Sequence, residues 1–138
     1  MNAHLDISAV LQQRGIQPSA QRVAIAQHVL STELHPTADA ILAEVRRSFP
    51  MVSRATVYNT LRLFVERGLL QTFQFEGGVT VYDPNVDRHH HFIDEDSGEI
   101  ADVPWDALDV RKVETLTDLD VSSWMVVMRG RRKGGPAA

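Results

Sequence analysis

Residues 86–103, with the sequence VDRHHHFIDEDSGEIADV, place three consecutive histidines ahead of a group of acidic side chains. In a β-strand, successive side chains point to opposite faces, so His89 and His91 would share one face and His90 would lie on the other. Two imidazoles spaced in this way can hold one metal ion. The alternative is that the three histidines form a solvated polar segment that binds nothing.

Three further residues could complete such a site with nitrogen and oxygen ligands. Asp83 ends a β-rich run, Asp102 lies on the next predicted strand, and His35 lies just before a predicted helix. A set of imidazoles and carboxylates suits Mn²⁺, Fe²⁺, Co²⁺ or Zn²⁺, whereas Ca²⁺ and Mg²⁺ prefer oxygen ligands. Five protein ligands would leave at most one open position, which disfavours a hydrolytic zinc site.

A predicted helix over residues 53–67 carries side chains that could contact nucleic acid. Its sequence, SRATVYNTLRLFVER, places the large apolar residues on one face. The exposed positions that can reach phosphates or base edges are then Arg54, Thr56, Tyr58, Asn59 and Arg62. Arg22 and Ser53 are further candidates for contacts with DNA. The alternative is an amphipathic surface helix without a ligand.

The elements around these residues follow the pattern of a winged helix-turn-helix. Start and stop signals for short helices are found at Gly15, Ser19, Thr37, Pro50, Ser53 and Gly68. Two β-rich runs, LLQTFQF and VTVYD, then flank Glu76-Gly77-Gly78, which predicts a β-hairpin. Helices followed by a hairpin place the helix over residues 53–67 in the position of a recognition helix.

The second half of the chain predicts a small mixed unit. HHHFID and EIADV predict strands around a turn, residues 106–117 predict a helix that starts near Pro104, and VSSWMVVMRG predicts another strand. The predicted fold class is α+β, with an N-terminal winged helix-turn-helix domain and a small C-terminal α/β dimerisation domain. The predicted limits are 1–83 for the DNA-binding domain, 84–88 for a hinge, 89–130 for dimerisation and metal sensing, and 131–138 for a disordered tail.

Composition narrows the function classes. The 138 residues include no cysteine, which excludes disulfides and thiolate metal sites. Residues 1–83 carry 7 Lys/Arg and 7 Asp/Glu, whereas residues 84–138 carry 7 and 11, so the second half accounts for the net charge of −4. No signal-peptide pattern and no apolar run of membrane-spanning length is visible, so we expect a cytoplasmic protein with no membrane partner.

Five stretches give the sequence a resemblance to the ferric uptake regulator family over about residues 8–130. They are HPTADAI (35–41), SRATVYNTLRLFVERGLL (53–70), YD (82–83), HHHF (89–92) and SGEIADV (97–103). The resemblance implies a homodimeric bacterial repressor that binds AT-rich palindromic operators in double-stranded DNA. It implies a regulatory metal ion with ligands from both domains, on the residues His35, Asp83, His89, His91 and Asp102.

The chain departs from the family pattern at two metal sites. Most relatives hold a structural zinc with two CxxC pairs, but Asp94 and Ser97 stand at the positions of the first pair. No structural zinc site with four cysteines is therefore expected. An auxiliary site found in many relatives would be reduced here to His90 and Asp109, which stay candidates for a second metal or for haem.

The absence of cysteine and the HHH run most resemble the iron response and peroxide-responsive branches of the family. The first branch links the HHH run to haem sensing. In the second, an aspartate at the position of Asp102 goes with metal-catalysed oxidation of a histidine ligand. The resemblance thus implies Fe²⁺ or Mn²⁺, with Zn²⁺ compatible in purified protein, and iron, haem or peroxide as the signal.

An enzyme is the competing class of function. A small metallohydrolase would use His89, His91 and Asp83 around an open metal position, with a positioned general base. The sequence has no HExxH motif, nucleophile elbow or phosphate-binding glycine loop. We therefore expect a regulator and not an enzyme.

Overall fold

The structure is a computed structural model that describes residues 6–31, 35–75 and 77–134. The chain divides into two compact units, residues 1–86 (the N-terminal unit) and 87–138 (the C-terminal unit). The domain limits predicted from the sequence stay predictions. The predicted tail lies partly outside the described residues. Glu76 of the predicted hairpin turn also lies outside them. None of the described helices has the length and apolar character that a membrane span requires.

The described part of the N-terminal unit contains four α-helices, and a side-chain oxygen caps the first turn of each. They are α1 (Ile7–Gln13), α2 (Ala20–Leu30), α3 (Ala38–Val45) and α4 (Arg54–Glu66). The caps, each of which accepts a hydrogen bond from the backbone N–H three residues later, are Asp6, Ser19, Thr37 and Ser53. N-capping is a local interaction, so the three helix starts predicted from Ser19, Thr37 and Ser53 are confirmed.

The C-terminal ends of α1 and α4 are joined by two arginines that cap each other's helix. Arg67 Nη1 donates to the carbonyl oxygens of Arg14 at 3.1 Å and Gly15 at 3.2 Å. Arg14 Nη1 donates in return to the Arg67 carbonyl at 3.4 Å. Gly15 has a φ of +71°, which favours glycine, and a Cβ there would lie 2.5 Å from Arg67 Nη1, so a larger residue would strain the backbone and displace the guanidinium. We call these contacts the reciprocal arginine caps.

Helix α3 ends about one turn earlier than its apolar period predicts. The period continues to Phe49, ahead of Pro50, but the regular helix stops at Val45. The amides of Arg47 and Ser48 make bonds to carbonyls three residues back, which tightens the turn. Helical backbone is also disfavoured for Phe49, the residue before Pro50, so the chain does not resume a regular helix after the tightened turn. The prediction that the helix continues to Pro50 is wrong.

The apolar faces of the four helices enclose one hydrophobic core. Leu11, Ile25, Val57, Leu61 and Phe64 are fully buried in it. Val57, Leu61 and Phe64 follow the spacing of one face of α4, as the sequence predicts. The core therefore fixes which face of α4 remains exposed.

An antiparallel hairpin follows α4 and forms the wing. It consists of β1 (Gln71–Gln74) and β2 (Thr80–Asp83), as the sequence predicts. The Tyr82 N–H donates to the Pro36 carbonyl at 3.0 Å. This bond attaches β2 to the segment before α3, and so determines where Asp83 lies within the unit.

The C-terminal unit is built on a three-stranded sheet. Its strands are β3 (His89–Asp94), β4 (Ile100–Pro104) and β5 (Val127–Gly130), in the order β4-β3-β5. β3 and β4 pair antiparallel with His91 opposite Asp102, whereas β5 runs parallel to β3. The predicted strands at HHHFID and EIADV are confirmed.

Two predictions for the C-terminal unit are wrong. Residues 106–117 do not form an α-helix but contain two short 3₁₀ turns, Trp105–Ala107 and Val113–Thr115. None of the residues 106–117 is buried, and a helix of this length in water needs a buried face. In VSSWMVVMRG, only the last four residues form a strand, because only these pair with β3.

Candidate metal centre and nucleic-acid interface

In the N-terminal unit, His35 and Asp83 form a buried pair. His35 Nε2 lies 2.9 Å from Asp83 Oδ2, and each side chain is only 2% exposed. The second carboxylate oxygen, Asp83 Oδ1, accepts the Asn85 N–H at 2.8 Å, which fixes the orientation of the carboxylate. One imidazole nitrogen and one carboxylate oxygen are thus held side by side.

In the C-terminal unit, the pairing of β3 with β4 brings His89, His91 and Asp102 together. The two Nε2 atoms lie 3.0 Å apart. Asp102 Oδ1 lies 3.3 Å from His89 Nε2 and 3.7 Å from His91 Nε2. The two imidazoles meet edge to face. The prediction that His89 and His91 share one face of a strand is confirmed.

A backbone contact determines which ring nitrogen of His89 carries the proton. His89 Nδ1 lies 2.6 Å from the Asp87 carbonyl oxygen. Because a carbonyl oxygen can only accept, Nδ1 carries a proton, and in the neutral ring Nε2 is the acceptor. Metal-binding histidines are usually oriented by such a bond from the second ring nitrogen. The Nε2 atom that faces His91 and Asp102 is therefore the one suited to bind an ion.

These separations fit the ligands of a transition-metal ion. Ligand atoms about 2.1 Å from an ion lie roughly 3.0–3.4 Å from one another in octahedral or tetrahedral geometry. The contacts within the His35–Asp83 pair and among His89, His91 and Asp102 agree with this range to within a few tenths of an ångström. Imidazole and carboxylate together suit iron, manganese or zinc.

Helix α4 presents a polar face to solvent, in agreement with the sequence analysis. Four of the candidates for contacts with DNA on this face are exposed, namely Arg54, Tyr58, Asn59 and Arg62. Thr56 is half-buried, and its hydroxyl lies 2.9 Å from the Ser53 hydroxyl. Ser53 is engaged as the helix cap, so its side chain serves α4 itself.

An open polar groove of about 510 Å³ lies between the start of α2 and helix α4. It is lined by Gln17, Pro18, Ser19, Gln21, Arg22, Thr56, Asn59 and Thr60. Arg22 Nη1 donates to the Gln17 carbonyl at 2.9 Å, which holds the guanidinium at the start of α2. A guanidinium and the positive end of a helix dipole both favour an anionic ligand such as a DNA phosphate.

Comparison with known proteins assigns the chain at the level of sequence. The profile of the Ferric uptake regulator family matches residues 13–128, most of the chain. The chain belongs to the ferric uptake regulator family. A peroxide-responsive repressor, PerR, of Staphylococcus aureus is 36% identical over 116 residues, which cover 83% of this chain and 78% of the repressor.

Solved structures of this family have the same fold. The ferric uptake regulator of Vibrio cholerae matches with a TM-score of 0.71 and 23% identity, over 92% of this chain and 100% of its own. The ferric uptake regulator of Pseudomonas aeruginosa with manganese matches with a TM-score of 0.68 and 25% identity, over 94% and 99%. The predicted α+β fold class, a winged helix followed by a small C-terminal domain, is confirmed.

Membership of the ferric uptake regulator family makes this chain a metal-sensing regulator of transcription. Proteins of the family are regulators and not enzymes, so the prediction of a regulator is confirmed and the metallohydrolase alternative is wrong. The resemblance to the peroxide-responsive branch is likewise confirmed by the Staphylococcus aureus relative.

His90 and Asp109, the candidates for a second metal or haem site, each have protein partners. The Val126 N–H donates to His90 Nδ1 at 3.0 Å, so His90 Nε2 carries a proton, and this atom lies 3.3 Å from the Trp105 carbonyl. Asp109 is exposed and pairs with Arg111 at 2.9 Å. A second site at these residues stays a prediction. An ion or haem bound there would displace a contact of His90 and compete with the ion pair between Asp109 and Arg111.

An aromatic stack around His90 was not predicted. The Trp105 ring lies against His90, with centroids 4.5 Å apart and planes 17° from parallel. The Trp124 ring lies 4.5 Å from that of Trp105, and Arg88 Cζ lies 3.8 Å from the Trp105 centroid. We call these four residues the tryptophan stack. The two tryptophans are distant in sequence, so no local pattern shows that they meet.

The contacts of Asp39 with α4 are a second feature that the sequence did not predict. It lies in the first turn of α3, where the helix dipole favours an acid, but its contacts are with α4. Asp39 Oδ1 accepts hydrogen bonds from Arg54 Nη1 and, at 3.1 Å, from the Tyr58 hydroxyl. The hydrogen bonds from Arg54 and then from Tyr58 lower the pKa of Asp39, so its carboxylate is ionised at neutral pH.

Proposed function

We propose that this chain is a homodimeric, metal-dependent repressor that binds AT-rich palindromic operators and responds to peroxide through iron. The proposed ligands are His35, Asp83, His89, His91 and Asp102, with Fe²⁺ as the responsive ion and Mn²⁺ as its redox-inert counterpart. The observation that carries the proposal is that His89 Nε2, His91 Nε2 and Asp102 Oδ1 lie within hydrogen-bonding or ion-pair distance of one another. The chain that holds them belongs to the ferric uptake regulator family and has no cysteine.

The division of the ligands between the two units supports metal-dependent DNA binding. His35 and Asp83 belong to the N-terminal unit with α4, whereas His89, His91 and Asp102 belong to the C-terminal unit. An ion that took ligands from both units would favour those arrangements of the winged helix in which both sets can reach it. Metal binding would thereby shift the population towards one DNA-binding shape.

The apolar surface of the C-terminal unit supports a homodimer. Five large apolar side chains in residues 87–134 are exposed, namely Val110, Leu116, Leu119, Val121 and Val127. Among these, Leu116, Leu119 and Val121 line one groove of about 280 Å³ beside Trp124. A unit of this size with so much exposed apolar surface gains stability when a second copy covers it.

Peroxide is favoured over haem as the signal. The Staphylococcus aureus relative is described as peroxide-responsive, and the ligand set here includes Asp102 beside two histidines. When bound, Fe²⁺ supplies the redox chemistry by which peroxide oxidises a histidine ligand. His35, His89 and His91 are the histidine side chains that would be open to this modification. A haem ligand at His90 would have to lose the contact with Val126, because coordination through either nitrogen of the neutral ring leaves Nδ1 unable to accept the Val126 N–H.

Fluorescence anisotropy of a labelled AT-rich palindromic duplex from the gene's own promoter tests the proposal. We expect weak binding with chelator and at least tenfold tighter binding with Mn²⁺. His89→Ala should abolish the response to Mn²⁺, whereas His28→Ala, a control on α2 outside the ligand set, should retain it. A His89→Ala variant that still responds to Mn²⁺ would remove this residue from the site.

Peroxide treatment of the Fe²⁺-loaded protein tests the signal separately. We expect loss of DNA affinity together with a mass increase on a peptide that contains His35, His89 or His91, because one oxygen atom is added to the ring of a histidine ligand. The Mn²⁺-loaded protein should keep its mass and its affinity. Unchanged mass and affinity in the Fe²⁺-loaded protein would exclude peroxide as the signal but leave metal-dependent repression standing.

A further inference from the structure

We propose that Asp39 is an internal mimic of a DNA phosphate that occupies Arg54 and Tyr58 in the DNA-free protein and lowers affinity for all duplex DNA. This inference rests on the proposed DNA-binding function and adds a residue that restrains it. Asp39 would set the strength of binding, without contacting DNA and without selecting a sequence.

The contacts of Asp39 are those that a phosphate oxygen would make. A single carboxylate oxygen, Oδ1, accepts from a guanidinium nitrogen of Arg54 and from the Tyr58 hydroxyl. The two donors lie four residues apart on α4, on the same side of the helix. Arg54 Cζ also lies 5.9 Å from the Tyr58 ring centroid, so the two side chains are neighbours. An oxyanion placed between them is therefore held by both.

The location of this cluster makes competition with DNA unavoidable if α4 is the recognition helix. Asp39 and Arg54 side chains are 65% and 60% exposed, so the pair faces solvent on the polar side of α4. A DNA phosphate that approached Arg54 Nη1 or the Tyr58 hydroxyl would meet the carboxylate at the same donor. Binding would then require Arg54 to share or exchange its partner, and the negative charge of Asp39 would repel the backbone.

The strength of the internal pair suits a restraint that DNA can overcome. Ion pairs between exposed side chains are weak and are screened by salt. From that weakness we expect Asp39→Asn to raise DNA affinity by about two- to fivefold at low salt. Because phosphate contacts are sequence-independent, the gain should be similar for an operator and for a scrambled duplex. The salt dependence of binding should steepen by up to about one phosphate contact.

Four full-length variants, each loaded with Mn²⁺, test this inference by anisotropy with both duplexes over a range of salt. They are Asp39→Asn, Arg54→Ala, the double variant, and Glu44→Gln as a control. Glu44 is another exposed acid of α3, about 140° around the helix from Asp39. We expect a gain for Asp39→Asn only, and no gain from it in the Arg54→Ala background.

Each other result has a definite meaning. Weaker operator binding by Asp39→Asn with an unchanged salt dependence would overturn the inference and make Asp39 a residue that positions Arg54 for DNA. An equal gain in Glu44→Gln would reduce the effect to general charge and also overturn it. Equal affinity of the wild-type protein for both duplexes would reject the proposed operator specificity, while the Asp39→Asn comparison on the scrambled duplex would still decide the inference.

Discussion

The two units of this chain bury different kinds of side chain. In the N-terminal unit, most buried residues form an apolar core supplied mainly by four helices, and the buried polar residues are Thr60 and Asp83. In residues 87–134, the only buried residues are His89, His90 and His91. One unit is thus stabilised by its own hydrophobic core, whereas the other is organised around three imidazoles.

From this difference we expect the N-terminal unit to be stable by itself and the C-terminal unit to gain stability from a bound ion. Burial of apolar surface stabilises a fold without any ligand. Buried imidazoles need hydrogen-bond partners or an ion, because an unsatisfied polar group is costly. The proposed DNA-contact surface of α4 therefore lies on the unit with its own hydrophobic core, and three of the five proposed metal ligands lie on the unit that has none.

The largest expected effect tests the self-sufficiency of the N-terminal unit. Phe64→Ala should lower its free energy of unfolding by about 3–5 kcal/mol, because it removes a fully buried ring and leaves a cavity. All described α-helices lie in this unit, so denaturant unfolding followed by helical circular dichroism reports on it. Leu116→Ala, at a half-exposed position of the C-terminal unit, is the control and should leave this transition unchanged. Equal losses in both variants would contradict the division.

The next effect tests the dependence of the C-terminal unit on an ion. Mn²⁺ at a hundredfold excess over its Kd should stabilise this unit by about 2.7 kcal/mol, because it binds only the folded site. Both tryptophans of the chain, Trp105 and Trp124, lie in this unit, so their fluorescence reports its unfolding. His91→Ala should lose the stabilisation and His28→Ala should keep it. Stabilisation that persists in His91→Ala would place the ion elsewhere.

The smallest effect refines the comparison within the C-terminal unit. Arg88→Ala should cost about 0.5–1 kcal/mol, because the guanidinium lies over the Trp105 ring in the tryptophan stack. The same fluorescence experiment measures it, and the emission of the folded protein should also change. Arg111→Ala removes a surface arginine paired with Asp109 and is the matched control. No difference between the two variants would mean that the stack stabilises through its rings alone.

The parts of the fold predicted from sequence are those that depend on local interactions. The helix starts at Ser19, Thr37 and Ser53 depend on a side chain and an amide three residues apart. The shared face of His89 and His91 depends on strand alternation alone. In each case the interacting groups lie within a few residues, so the sequence contains the whole interaction.

The parts that were not predicted depend on contacts between distant segments. The expected helix over 106–117 fails because none of the described residues buries one of its faces. Asp39 meets Arg54 and Tyr58 only because α3 and α4 pack together. The five candidate metal ligands could be named from residue type and strand alternation, but only the family resemblance assigned them to one site, since neither residue type nor spacing joins His35 to Asp83.

The reciprocal arginine caps have a consequence for how salt acts on this protein. Both guanidiniums donate to backbone carbonyls, at Arg14, Gly15 and Arg67, and neither contact is an ion pair. Added salt screens paired charges far more than it weakens such bonds to neutral oxygens. The orientation of α4 against α1 should therefore stay constant while ionic strength varies. The salt dependence of DNA affinity would then report the number of phosphate contacts, because α4 keeps its place in the fold throughout the titration.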